Sequence, residues 1–212
     1  MKFNKPTLIT ITAPTCSGKT YLIEKLASLG FSRIVGFTTR APRTGEVEGK
    51  DYYFISMEKA IELGEAGLLA ETASFRGNSY GVTHQEMLGK MHGAMSPVVI
   101  LEPSGLKSYE KYCADRGYGI FKIYVSVTEA TKIQRLNQRT TEDLLEADNE
   151  ESIFKIVKTH SDRLLSITGD ERLWPTKNTW DAIVPGDNIN AALEQIELGI
   201  KWRNSRNAEV NK

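Results

Sequence analysis

The sequence predicts an α/β fold with a three-layer core, a parallel sheet between helices, interrupted by a mixed α/β lobe and followed by a helical segment. Three observations lead there. Thr7–Thr12 is a β-branched run followed by a Gly-containing turn and a helical pattern, the opening of a βαβ unit. Residues 36–92 break that alternation with short strands joined by Gly-rich turns. The alternation then resumes, with apolar strands at Pro97–Leu101, Ile120–Val127 and Ala182–Val184 separated by helical patterns.

Taken in order, Tyr21, Leu22, Ile23, Leu26 and Leu29 fall at helical spacing, and Gly30 stops that helix. In the inserted segment Gly36–Arg40, Asp51–Ile55 and Leu69–Phe75 read as strands, and Met57–Glu65 and Thr83–Met91 as helices. A helix fits Ser104–Asp115. The strand Ile120–Val127 is broken by Lys122, and Thr128–Arg139 has the cap and apolar spacing of a helix. Thr140–Glu151, with Glu142, Asp143, Glu146, Asp148, Glu150 and Glu151, reads as an exposed, mobile link. A helix over about Ser152–Ser166 leads into a Gly- and Pro-containing stretch with Trp174. Asn188 caps a last helix carrying Ala192, Leu193, Ile196 and Ile200, and the polar tail after Arg203 reads as frayed.

A length of 212 residues suits one such domain with small inserted lobes. Lys plus Arg and Asp plus Glu total 27 each, which argues against a general basic field for a nucleic-acid polymer and against an acidic disordered chain. Cys16 and Cys113 are too few for a disulfide scaffold. No apolar run approaches a membrane span, and Met1–Pro6 leads into a strand rather than a signal-peptide core. His84, His92 and His160 show no metal-ligand spacing. The expectation is a soluble, cytoplasmic protein, monomer or homodimer, with small-molecule partners and neither a membrane nor a nucleic-acid polymer among them.

Ala13-Pro14-Thr15-Cys16-Ser17-Gly18-Lys19-Thr20, between strand and helix, is the Walker A pattern with Ala13 where the first glycine usually stands. It predicts a P-loop NTPase core. Ala13, Ser17, Gly18, Lys19 and Thr20 are the candidate ATP-phosphate ligands. Gly18 lets successive N–H groups face phosphate oxygens, Lys19 reaches the β- and γ-phosphates, and Thr20 offers its hydroxyl to Mg²⁺. Cys16 reads either as a small side chain in a tight turn or as a redox site.

Thr38-Thr39-Arg40-Ala41-Pro42-Arg43 sets two arginines three apart around a proline bend, where both can converge on one anion or form a solvated surface pair. Tyr52 and Tyr80 add hydroxyl donors to the same lobe. Together with Gly45-Glu46-Val47, Gly49-Lys50-Asp51-Tyr52-Tyr53-Phe54 and Gly77-Asn78-Ser79-Tyr80-Gly81, these blocks resemble, in order, those of the guanylate kinase family. The resemblance covers most of the chain. It implies transfer of the γ-phosphate of ATP, with Mg²⁺, to GMP or dGMP. It also implies a core (1–35, 93–127 and 167–205), a nucleoside-monophosphate (NMP)-binding lobe (36–92) and a helical lid (128–166). Arg40, Arg43, Tyr52, Tyr80 and Gly81 then match the acceptor-nucleotide ligands. Glu71 matches the guanine-reading carboxylate, which accepts from the N1–H and exocyclic amino group together; otherwise it is an exposed strand carboxylate. Glu102 and Ser104 fall in a further acceptor-site block.

Arg135 and Arg139, at i and i+4, resemble catalytic lid arginines that act with Lys19 on the transferring phosphoryl. The alternative is a solvent-facing pair. The family's third lid arginine aligns with Ile156, leaving Lys155, Lys158 or Arg163 as the basic residues nearby. Other departures cluster around the base. Gly36 stands for a serine, Val82 for Ser or Thr, Ser104 for a second acid and Gly186 for an asparagine. Guanine is therefore held mainly through Glu71, or the acceptor is another or modified (deoxy)nucleotide or ribose 1,5-bisphosphate. A non-catalytic interaction domain is the reading from another class, disfavoured by the retained Gly18, Lys19 and Thr20.

Overall fold

The computed structural model describes residues 6–43, 45–75, 77–93, 96–101, 105–169 and 179–210. Its central sheet has the order β2-β7-β1-β8-β9, formed by Ser32–Arg33, Pro97–Ile100, Thr7–Thr12, Gly119–Ser126 and Ala182–Pro185. All four pairings are parallel, with Ile9 opposite Val98 on one side of β1 and Phe121 on the other. Every residue of β1 is buried, as a central strand covered on both faces requires.

The two faces have separate cores. Ile9, Ile11, Phe121, Ile123 and Val125 pack under α1 (Lys19–Ser28) and α7 (Ile189–Val210) through Leu22, Ile23, Leu26, Ala192, Ile196 and Ile200. Leu8 and Val99 pack under α3 (His84–Met91) and α4 (Leu106–Asp115) through Met87, Met91, Leu106, Tyr109 and Tyr112. The alternation of β1 thus serves two helical layers.

A second sheet, β4-β3-β6-β5, pairs Tyr53–Phe54, Phe37–Thr38, Asn78–Thr83 and Leu69–Phe75. It carries α2 (Met57–Glu65), whose Ser56 cap accepts from Lys59 N, and leads into α3, whose Thr83 cap accepts from Glu86 N. β2 and β6 were not read as strands from the sequence; β6 forms because its backbone lies antiparallel between β3 and β5.

Three expectations are corrected. Lys122 does not break β8, because its amine turns to the Glu110 carboxylate at 2.8 Å while the strand's inward residues stay buried. The link expected over residues 140–151 shrinks to 146–149. The helix α5 runs from Glu129 to Leu145, and α6 spans Glu150–Gly169. Thr140 and Thr141 return their hydroxyls to the carbonyls of Leu136 and Asn137 at 2.8 and 3.0 Å, and Thr140 also meets His160 Nδ1 at 2.7 Å. The tail after Arg203 remains helical to Val210. Asn188 does cap α7, accepting from Ala191 N at 3.1 Å. The Trp174 stretch lies outside the described residues. Among the described residues, no helix is long and apolar enough to cross a membrane.

Candidate functional site

The loop from Ala13 to Gly18 leaves the C-terminal end of β1, where a parallel sheet of this type opens a crevice. Gly18, with φ 92°, is the left-handed residue that starts α1. Lys19 Nζ donates to the Ala13 carbonyl at 2.9 Å, spanning the loop. Ser17 is buried, with a hydroxyl that meets no hydrogen-bond partner among the described residues. Thr20 is exposed on the first turn of α1. Cys16 holds φ 61°, and burial raises its thiol above the ordinary value despite Arg163, Arg139, Lys19 and Arg135 around it. A thiol kept protonated is a poor nucleophile, which favours the small-side-chain reading over the redox one.

Arg135 clasps this loop from α5. Its two terminal nitrogens donate to the Cys16 carbonyl at 3.4 Å and the Gly186 carbonyl at 2.9 Å. Arg139, one turn on, and Arg163, on α6, act on the Cys16 thiol from the same side. Desolvation, then Arg139 and Arg43, lowers the Arg163 guanidinium from its ordinary value. Ile156, where the alignment puts a third lid cation, lies two helical turns before Arg163 on the same face of α6. The long α5 accounts for the displacement. In an antiparallel helix pair, each residue added to the first arm moves the facing residue on the second arm along by about as much. The Thr140–His160 contact fixes that register. That register brings Arg163, one of the basic residues near Ile156, within electrostatic reach of Arg139. Its seven-residue offset from Ile156 becomes legible only once residues 140–145 are known to be helical.

The second phosphate-facing group comes from the four-stranded sheet. Arg40 makes a bidentate pair with Glu46, both N···O distances 2.9 Å, and its guanidinium lies 5.7 Å from the Tyr52 ring centroid and 6.0 Å from that of Phe54. The Tyr52 and Tyr80 rings meet edge-on at 6.0 Å. Glu46 also accepts from the Arg43 N–H at 2.7 Å. Desolvation, then the like charges of Arg40 and Arg139, lowers the Arg43 guanidinium. Burial raises the Tyr52 hydroxyl, keeping it a donor. Arg40, Arg43, Tyr52 and Tyr80 thus converge, and Arg43 brings this group into electrostatic contact with Arg139 and Arg163.

Glu71 sits on β5 at a register shift that follows Leu69 and is half-buried, not an exposed strand carboxylate. Burial pushes its carboxyl up to about 7, opposed by the hydroxyl of Tyr109, which donates to Oε2 at 3.4 Å. Gly81, opposite Thr72, lies so close to Phe37 that a Cβ there would come within 2.7 Å of its ring. Glu102 and Ser104 lie outside the described residues. The base-side departures have packing reasons. A Cβ on Gly36 would come within 2.9 Å of the Gly81 carbonyl, and one on Gly186 would overlap the Ser17 carbonyl. Val82 is buried in the α3–α4 core. No group of three or more His, Cys, Asp or Glu residues arranged to hold a metal occurs among the described residues. Thr20 offers a hydroxyl with no carboxylate cluster beside it among the described residues, which suits an ion that takes most of its oxygens from phosphate and water.

A family model described as guanylate kinase matches residues 5–201. The guanylate kinase of Prochlorococcus marinus is 31% identical over 198 residues, covering 92% of this chain and 96% of its own length. That of Geobacter sulfurreducens is 28% identical, covering 96% of this chain and 92% of its own length. The crystal structure of guanylate kinase from Anaplasma phagocytophilum superposes with a TM-score of 0.61 at 19% identity, covering 93% of this chain and 86% of that one. At that identity it bears on the fold.

Proposed function

The chain belongs to the guanylate kinase family, and from that premise we propose that it transfers the γ-phosphate of ATP to GMP or dGMP, yielding ADP and GDP or dGDP. One observation carries the proposal. The phosphate loop, the lid arginines and the acceptor-lobe arginines meet at one place, with Arg43, Arg139 and Arg163 acting on one another.

The residues divide the work as follows. Ala13, Ser17, Gly18, Lys19 and Thr20 hold the ATP phosphates, Lys19 exchanging the Ala13 carbonyl for phosphate oxygen. The protein's ligand to Mg²⁺ is the Thr20 hydroxyl, and the ion, when bound, neutralises charge on the β- and γ-phosphates. Arg40, Arg43, Tyr52 and Tyr80 fix the acceptor phosphate. Glu71 reads the N1–H and amino group of guanine, and Gly81, Glu102 and Ser104 belong to the acceptor set that the family resemblance implies. An acceptor phosphate oxygen forms the new bond to the γ-phosphorus, and the bond to the β–γ bridging oxygen breaks, its electron pair leaving with ADP. The acceptor phosphate is dianionic near pH 7, so no general base is needed. Lys19, Arg135, Arg139 and Arg163 stabilise the charge that develops and exclude water. In this scheme residues 36–92 are the acceptor lobe, 128–166 the lid, and 1–35, 93–127 and 167–205 the core.

A coupled ADP-release assay across GMP, dGMP, AMP, dAMP, UMP, dTMP and ribose 1,5-bisphosphate tests the proposal. Turnover is expected with GMP and dGMP. Turnover with another acceptor but neither of these overturns guanine specificity. The glycines at 36 and 186, where no side chain fits, are what favour such an acceptor as the second reading.

A further inference from the structure

Several base-side polar groups that the family resemblance leads one to expect are replaced, and the structure sets a further polar side chain against Glu71 that no motif marks. Tyr109 projects from the second turn of α4 and is 2% exposed, so its hydroxyl has little choice of partner. That partner is Glu71 Oε2, on β5 of the other sheet. The second carboxylate oxygen faces Gly105 at the start of the same helix, where an added Cβ would stand 3.3 Å from Oε1. Both oxygens are thereby indexed to α4. Burial favours a neutral Glu71, and a neutral carboxyl can accept only in part from two adjacent N–H donors. A hydroxyl that donates to it favours the charged form instead. The Tyr109 hydroxyl uses one lone pair of Oε2 and leaves the rest of the carboxylate to accept.

We propose that Tyr109 is a positioning residue that orients the Glu71 carboxylate and favours its charged form for an acceptor base presenting two adjacent N–H donors. The proposal rests on the guanine-nucleotide reading above. Tyr109 touches no reacting atom, so its effect falls on acceptor recognition and not on the chemical step. The titratable neighbour of the Glu71 carboxyl among the described residues is Tyr109 itself; the Cys113 thiol lies behind it on α4. Phosphate ionisation of GMP and ATP contributes equally to wild type and variant, so the difference between their profiles isolates Glu71.

The test is kcat/KM for GMP between pH 5.5 and 9 in wild type and Tyr109→Phe, with kcat at saturating GMP and KM for ATP measured alongside. Wild-type kcat/KM is expected to rise through a midpoint near 7. Losing one hydrogen bond to a charged group moves that midpoint up by about one pH unit, which lowers the ionised fraction at pH 7 about fivefold. KM for GMP should rise accordingly at pH 7 and return to within about twofold of wild type at pH 9, with kcat and KM for ATP preserved. A ¹³C-carboxyl titration of Glu71 in the free proteins should show the same displacement. A defect of equal size at every pH, or an unmoved midpoint in an enzyme active with GMP, overturns the role of Tyr109 alone. Wild-type enzyme inactive with GMP overturns the functional reading and this proposal together.

Discussion

Replacing Glu71 by Gln should stabilise the empty protein while weakening its acceptor binding, and the two effects should separate by pH. The carboxyl is raised from 4.5 to about 7 by burial, so folding costs more once the group ionises. A raised acid contributes stability that is complete below its unfolded value and is lost as pH climbs through its folded value. At about 1.4 kcal/mol per pH unit, the displacement from 4.5 to about 7 is worth about 3 kcal/mol at pH 8.5 and almost nothing at pH 4.5. Gln removes the charge but keeps an oxygen for the Tyr109 hydroxyl, so it recovers most of that difference without a cavity. Urea unfolding of both proteins without nucleotide should give matching midpoints at pH 4.5 and a variant more stable by roughly 2–3 kcal/mol at pH 8.5. With GMP added at pH 8.5, wild type should gain stability and the variant should not. A stability difference independent of pH would refute the assignment of a strained, ionising carboxyl at this position.

Three further outcomes follow from the site. Lys19→Ala should abolish phosphoryl transfer to every acceptor, and turnover surviving in the ADP-release assay would contradict the phosphate-loop reading. Arg163→Met should lower kcat by about 10²-fold with both KM values within a few-fold, as expected for a group that acts on developing charge. Lys155→Met and Lys158→Met should leave kcat within twofold, and an Arg163→Met enzyme as fast as wild type would return the third lid cation to an unassigned position. Gly186→Asn, which restores the residue expected after the last strand, should destabilise by about 1–3 kcal/mol in urea unfolding and weaken ATP binding, because its Cβ would overlap the Ser17 carbonyl and press on Val125 and Val127. Unchanged stability would mean that β9 shifts freely away from the phosphate loop.

What was legible in the sequence is what local chemistry dictates. The β-branched run at Thr7–Thr12, the Walker A residues after it and the caps Thr128 and Asn188 each act through neighbours within a few residues, and each lies where the pattern puts it. Two of the misreadings, at Lys122 and Thr140, are decided at a distance. Lys122 looks like a strand breaker until Glu110, twelve residues away, neutralises it. Thr140 looks like a link until its hydroxyl oxygen is seen to meet His160 Nδ1 across the helix pair. The same contact sets the register in which Arg163, seven residues beyond Ile156, comes within electrostatic reach of Arg139. The family resemblance points to Glu71, but its half-burial and its contact with Tyr109, 38 residues on, are beyond any spacing rule.

The balance of 27 basic and 27 acidic residues conceals a site that is far from neutral. Some of its cations have compensation built in. Glu46 grips Arg40, and backbone carbonyls hold Lys19 and Arg135. The guanidinium groups of Arg43, Arg139 and Arg163 make no hydrogen bond to a described residue, and mutual repulsion adds to the desolvation that lowers Arg43 and Arg163. These three come from the acceptor lobe, α5 and α6. Bringing them together without an anion is unfavourable, whereas a phosphate between them turns each repulsion into a pair of attractions. On the proposed reading, closure of lobe and lid is therefore driven by the nucleotides themselves. Glu46 already attracts Arg43, and on this reading the acceptor phosphate adds a second anion there, as the ATP phosphates do for Arg139 and Arg163. An electrostatic cluster of this kind ties exclusion of water from the γ-phosphate to the presence of the correct nucleophile, with no separate gate.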